Sequence, residues 1–108
     1  MRKVVKDESG SRILLDTEQD TRLWSGHSNI GPNQNRWLEL FVHEYAGDTD
    51  KRQFYLVHRT LWEGERNYIQ DISYEDAMEF VAEHIDDMSP VEETACQEYG
   101  LLDYTAFQ

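Results

Sequence analysis

At Ser73 the hydrophobic pattern of this chain changes period, from about 2 residues to about 3.6, and that switch constrains the fold more than any other feature. Before it, apolar residues come in short runs separated by turn-forming clusters. After it, they recur every three or four positions. Strands first and helices second indicate an α+β domain, with an antiparallel sheet and helices gathered together, rather than alternating units around a parallel sheet.

In the strand-rich part, Ile13, Leu14 and Leu15, the turn-like residues 16–21 and the run 22–25 predict a first hairpin. Residues 26–35, with Gly31 and Pro32, read as a loop. The strongest strand signal is 36–46, where both alternate series carry apolar side chains, so this strand is expected to be central and largely covered. Residues 47–52 read as a turn, 53–62 as a second long strand, 63–66 as another turn and 67–72 as a short last strand. The expected sheet is an antiparallel meander of four to five strands.

Two C-terminal helices should follow. Ser73 with Asp76 resembles a capping box, and Tyr74, Ala77, Met78, Val81, Ile85 and Met88 fall within a wedge of about 100° on a helical wheel. Ser89, Pro90 and Glu92 meet the requirements of a second helix start, and Gly100 those of its stop. Leu101, Leu102, Tyr104 and Phe107 then give the tail enough apolar surface to pack back on the domain. With 108 residues the chain fits a single α+β domain, strand-rich over 1–72 and helical over 73–108. Leu, Ile, Val and Phe make up 24 residues, which with three Trp and six Tyr is enough for a modest core despite the high charge.

The formal net charge is −12, from 22 acids and 10 bases. That sign opposes a phosphate-neutralising nucleic-acid binder and a protein held on anionic lipid. The single cysteine excludes an internal disulfide framework, and no apolar run suits a membrane helix or a signal peptide, so the expected location is cytoplasmic. The charge is unevenly placed. Residues 1–70 hold all ten bases and 11 acids, and residues 71–108 hold the other 11 acids and no base. The strand half is therefore close to neutral and the helical half strongly acidic.

Glu75, Glu79, Glu83 and Asp86 lie within about 80° on the first helix, with Asp76 and Asp87 beside them, nearly opposite the apolar wedge. The helix dipole favours acids in a first turn, which accounts for Glu75 and Asp76. It opposes Glu83, Asp86 and Asp87 near the far end. Like charges four apart cost about 0.2–0.5 kcal/mol per pair in an isolated helix. These six residues are either a solvated face or a docking surface for a basic partner. No calcium-loop spacing surrounds Asp86 and Asp87.

Catalytic chemistry has little support. His43 and His58 would share a face with Glu39 if Ala46 paired with Gln53, an arrangement open to a metal or an acid–base pair but lost on a one-residue slip. His84 sits beside Glu83 and Asp87, and His27 in a loop. No serine occupies a nucleophile elbow and no phosphate-binding glycine loop appears. Cys96 lies among Glu92, Glu93 and Glu98, which raise a thiol pKa and blunt it as a nucleophile. Trp24, Trp37 and Trp62 are expected in the sheet, and any of them exposed with Tyr55 or Tyr68 would be an interface anchor.

Asp16 and Thr17 with the following Trp24, the aromatic strand Phe54, Tyr55 and Leu56, and the run from Ile72 through Ser73, Glu75, Asp76 and Ala77 to Glu83 and His84 resemble a pattern found in short acidic proteins of bacterial mobile elements. Tyr74 and Phe80 stand where that pattern has Glu and Trp. The resemblance implies a genetic context, of plasmids, phages and conjugative elements, whose small acidic proteins often inhibit host nucleic-acid enzymes. It carries no residue roles.

The expected function is therefore binding. The six carboxylates Glu75, Asp76, Glu79, Glu83, Asp86 and Asp87 would dock on the basic surface of a nucleic-acid-binding protein, as a DNA mimic of the anti-CRISPR or anti-restriction type does. No direct nucleic-acid contact, membrane contact, catalytic residue, cofactor or metal is expected. The alternatives are an accessory protein that oligomerises through its aromatic sheet face and a small metal-dependent enzyme using His43 and His58.

Overall fold

The computed structural model describes residues 1–7, 9–26, 35–45 and 48–102, with the backbone alone for 48–50. In chain order these form β1 (Arg2–Lys6), β2 (Arg12–Asp16), β3 (Thr21–Ser25), β4 (Arg36–Tyr45), β5 (Asp48–Thr60), β6 (Tyr68–Ile72), α1 (Tyr74–Glu83), a 3-10 turn (Ile85–Asp87) and α2 (Pro90–Glu98). The class is α+β. Strands β3 to β6 make an antiparallel meander in sequence order, and β1 and β2 form a separate two-stranded ribbon.

The apolar character of both alternate series in β4 and β5 has a direct structural cause: each face of the sheet builds its own core. Leu40, Val42, Phe54 and Leu56 face the helices and pack with Trp24, Phe80, Val81, Cys96, Leu101 and Leu102. Phe41, Tyr55 and Val57 face the other way and pack with Val5, Ile13 and Leu15 of the ribbon. The molecule thus stacks ribbon, sheet and helices, with the long β4–β5 ladder in the middle layer.

The expected first hairpin does not form. Strand β2 pairs with β1, Val5 opposite Ile13, and β3 pairs with β4 instead. Residues 16–20 close a helix-like turn, in which the Asp20 N–H donates to the Asp16 carbonyl at 2.8 Å. Such a turn carries the chain from one layer to the next and does not reverse it within a sheet. The expected turn at 47–52 is also largely strand, since β5 begins at Asp48.

A register shift between Arg22 and Trp24 lets Leu23 and Trp24, consecutive in sequence, both be buried. Trp62 is not in the sheet; it lies past the end of β5 and is 53% exposed.

The helix starts match their sequence signals. Ser73 Oγ accepts the Asp76 N–H. Ser89 and Glu92 form a reciprocal capping box, with Pro90 at the first helical position, and Gly100 follows the helix with φ of +74°. Replacing Ser89 with Ala should lower stability by about 1 kcal/mol, and with Gly by only a few tenths, as read by denaturant unfolding. Helix α1 is shorter than its apolar period suggests, ending at Glu83. Its buried residues are Ala77, Phe80 and Val81, an arc rotated by about 60° from the expected wedge, and Tyr74 and Met78 are exposed. Leu101 and Leu102 pack into the core as expected, and Tyr104 and Phe107 lie outside the described residues.

Candidate functional site

All six candidate acids are solvent-exposed. They do not form one strip, because the α-helix stops at Glu83 and Asp86 and Asp87 stand on the 3-10 turn. The cause of the break is visible. His84 caps the helix, its Nδ1–H donates to the Phe80 carbonyl at 2.8 Å, and Trp24 Nε1 donates to the Asp87 carbonyl at 3.1 Å. The His84 ring stacks on Phe80 and leans on Trp24, so the core and not Glu83 or Asp87 sets its position.

Asp76, Glu79 and Glu83 converge on a groove of about 230 Å³ between α1 and the edge strand β6, floored by Leu56, Ile72 and Phe80 and walled by Gln70. Glu75 lines a different hollow, with Tyr45, Lys51 and Arg52. All ten bases fall within the described residues, and none pairs with any of the six acids. The bases that do form ion pairs serve acids elsewhere, in Lys3–Asp71, Arg22–Glu39, Arg59–Glu39 and Arg36–Glu65.

The histidine arrangement considered from the sequence does not form. His43 lies opposite Gln53, and His58 opposite Leu38, so the register differs by an odd number from the Ala46–Gln53 pairing and the two rings fall on opposite faces. His43 Nδ1 contacts Asp20 Oδ1 at 2.8 Å, and the same carboxylate accepts the Tyr55 hydroxyl at 2.7 Å and the Asp16 N–H at 2.8 Å. Burial, and then the Asp20 carboxylate, push the Tyr55 phenol well above its ordinary range. Glu39, only 5% exposed, accepts Arg59 Nε at 2.7 Å, Arg22 Nη1 at 3.2 Å and Ser25 Oγ at 3.2 Å, and so ties β3, β4 and β5 together. Among the described residues there is no group of three or more His, Cys, Asp or Glu placed to hold a metal ion. Burial, followed by Glu92 and Glu93, pushes the Cys96 thiol up to about 11, which leaves it a packing residue.

A second concavity was not assembled from the sequence. It lies where β4 and β5 run past the helices, with a volume of about 520 Å³, and gathers Arg36, Trp37, His58, Arg59, Arg66 and Tyr68. These residues come from β4, β5, the following turn and β6, and only the strand register brings them together. Arg36 forms a two-pronged pair with Glu65 (2.9 and 2.5 Å) and lies over the Trp62 ring. That pair and the Thr60 hydroxyl hold the Glu65 carboxyl down at about 2.

Among the described residues no helix is long and apolar enough to cross a membrane. Compared with protein-family models, with curated proteins and with solved structures, the chain has no match.

Proposed function

We propose that this chain is a protein-binding module whose acidic helical side docks on a basic, nucleic-acid-handling surface of a partner and blocks it, as an inhibitor of CRISPR or restriction machinery would. One observation carries the reading: six exposed carboxylates on α1 and the adjoining turn form no ion pair with any base, although the chain has ten to offer. A one-signed field of this kind steers an oppositely charged partner and raises its encounter rate. Asp76, Glu79 and Glu83 would supply the centre of the contact, because they share one groove, and Glu75, Asp86 and Asp87 its margins.

The test is capture of a partner from the native host, followed by titration at several salt concentrations. Exposed charges are screened over about 8 Å at physiological ionic strength, so affinity should fall steeply as salt rises. The double substitution Glu79→Lys/Glu83→Lys should weaken binding at least tenfold and flatten the salt dependence, with the circular dichroism spectrum unchanged. An affinity and salt slope equal to those of the parent would exclude the reading.

A second reading has its own observation. Both sheet faces are covered, and the large apolar residues left exposed near β6 are Leu61, Trp62 and Tyr68. Association through them would be insensitive to salt, which sizing at several concentrations and ionic strengths would detect.

A further inference from the structure

The inner face of the β1–β2 ribbon is buried on the sheet, and its outer face is open. Val4 and Leu14, directly opposite one another across the two strands, point outward and are 58% and 47% exposed. Alternate residues of a strand lie on one side, so Arg2, Lys6 and Arg12 share that face, and all three are exposed. None of them forms an ion pair among the described residues. The acid on this face, Asp16, turns its Oδ1 to the Glu18 N–H at 3.0 Å. The ribbon therefore presents an apolar centre bracketed by unused positive charge.

The opposite outer layer carries the counterpart. Ala77, Phe80 and Val81 face the sheet, so the outward side of α1 consists of Glu75, Met78, Glu79 and Ala82, with Tyr74 and Glu83 at its flanks. Tyr74, Met78 and Ala82 are exposed, and the carboxylates beside them form no ion pair. Here the apolar strip is bordered by negative charge. The lengths agree as well, since five residues of strand extend about 17 Å and ten residues of helix about 15 Å. A helix laid on a sheet face is the packing that α1 already makes with its own sheet through its buried side.

We propose that the outer face of the ribbon docks on the outward side of α1 of a second copy of this chain. The net charge of −12 on each copy is screened beyond about 8 Å at physiological ionic strength, whereas the docked charges meet within that range. The two patches lie on opposite layers, so one neighbour cannot use both. The contact is head-to-tail, and each docked copy leaves a patch open for a third. The patches are small, which places the association in the weak, transient class. It uses Glu75 and Glu79, so self-association and the docking proposed above exclude one another. The inference does not rest on that docking, and its test uses the chain alone.

Sedimentation velocity of the full chain from micromolar to millimolar concentration, at physiological and at molar salt, is the measurement. The average mass should rise with concentration without stopping at a dimer, and fall back at molar salt. Lys6→Glu/Arg12→Glu on the ribbon and Glu75→Gln/Glu79→Gln on the helix, all at exposed positions, should each weaken association at least tenfold with the circular dichroism spectrum unchanged. An equimolar mixture of the two variants keeps one intact contact, between the basic ribbon of one and the acidic helix of the other, and should form a dimer and nothing larger. A monomer at every concentration, association that neither double variant weakens, or a mixture that stays monomeric would overturn the proposal. So would a monomer that sediments with phosphatidylglycerol vesicles, which would make an anionic lipid the occupant of the ribbon face.

Discussion

Trp24→Ala is expected to cost about 3–5 kcal/mol of stability, a large share of the roughly 5–15 kcal/mol that holds a domain of this size. Trp24 is 1% exposed and is where three parts of the structure meet. Its ring packs edge-on to Phe80 of α1 at 5.4 Å and against His84 at 4.7 Å, and its Nε1–H satisfies the Asp87 carbonyl left free by the helix break. Alanine would leave a cavity between sheet and helix and an unpaired carbonyl beside it. Trp24→Phe keeps most of the ring and loses the hydrogen bond, and should cost roughly 1–3 kcal/mol. Urea denaturation followed by circular dichroism measures both. A loss below 1 kcal/mol for the alanine variant would mean that Trp24 does not join the sheet to the helical layer.

The second large effect belongs to the other core. Asp20→Ala should cost about 2–5 kcal/mol, because one carboxylate, its side chain 7% exposed, accepts from Tyr55, His43 and the Asp16 backbone together. The Tyr55 side chain is fully buried and stacked on Phe41, so its hydroxyl has no water to turn to. Tyr55→Phe alone should cost about 1 kcal/mol, the usual net worth of one hydrogen bond. In the Asp20→Ala background the same change should cost less or be stabilising, since it removes an orphaned donor. A double-mutant cycle therefore reads the coupling directly, and additive losses would show that the Tyr55–Asp20 contact contributes nothing.

How far the fold was legible depended on whether a feature is local. Ser73, Ser89, Pro90 and Gly100 are local signals; both helices begin by them, and the second ends by one. The double apolar series of residues 36–46 identified the strand buried on both faces. Pairing is not local. Arg2, Lys3 and Lys6 surround Val4 and Val5 with charge, so β1 has little hydrophobic signal, and its partner could be recognised only from the need of Ile13 and Leu15 for a surface. The helix break at His84 likewise depends on Trp24, sixty residues earlier in the chain. The acids of the candidate surface could be named from the wheel. Their division between a groove, a neighbouring hollow and a 3-10 turn could not, because it follows from that break. The arginine–aromatic concavity was missed for the same reason as the histidine arrangement failed: both rest on the β4–β5 register, which shifts between Glu44 and Tyr45 at an irregularity that composition does not announce.

The shared middle sheet also orders events during synthesis. The β1–β2 ribbon leaves the ribosome before the strands of the sheet and can close on itself, yet the wall that covers Val5, Ile13 and Leu15 consists of Phe41, Tyr55, Val57 and Ile69. Until Ile69 has emerged, those three side chains lack part of the wall that covers them. Loss of burial at that stage is a hazard for aggregation, and the cluster of Arg2, Lys3, Lys6 and Arg12 around them is well placed to keep the waiting ribbon in solution.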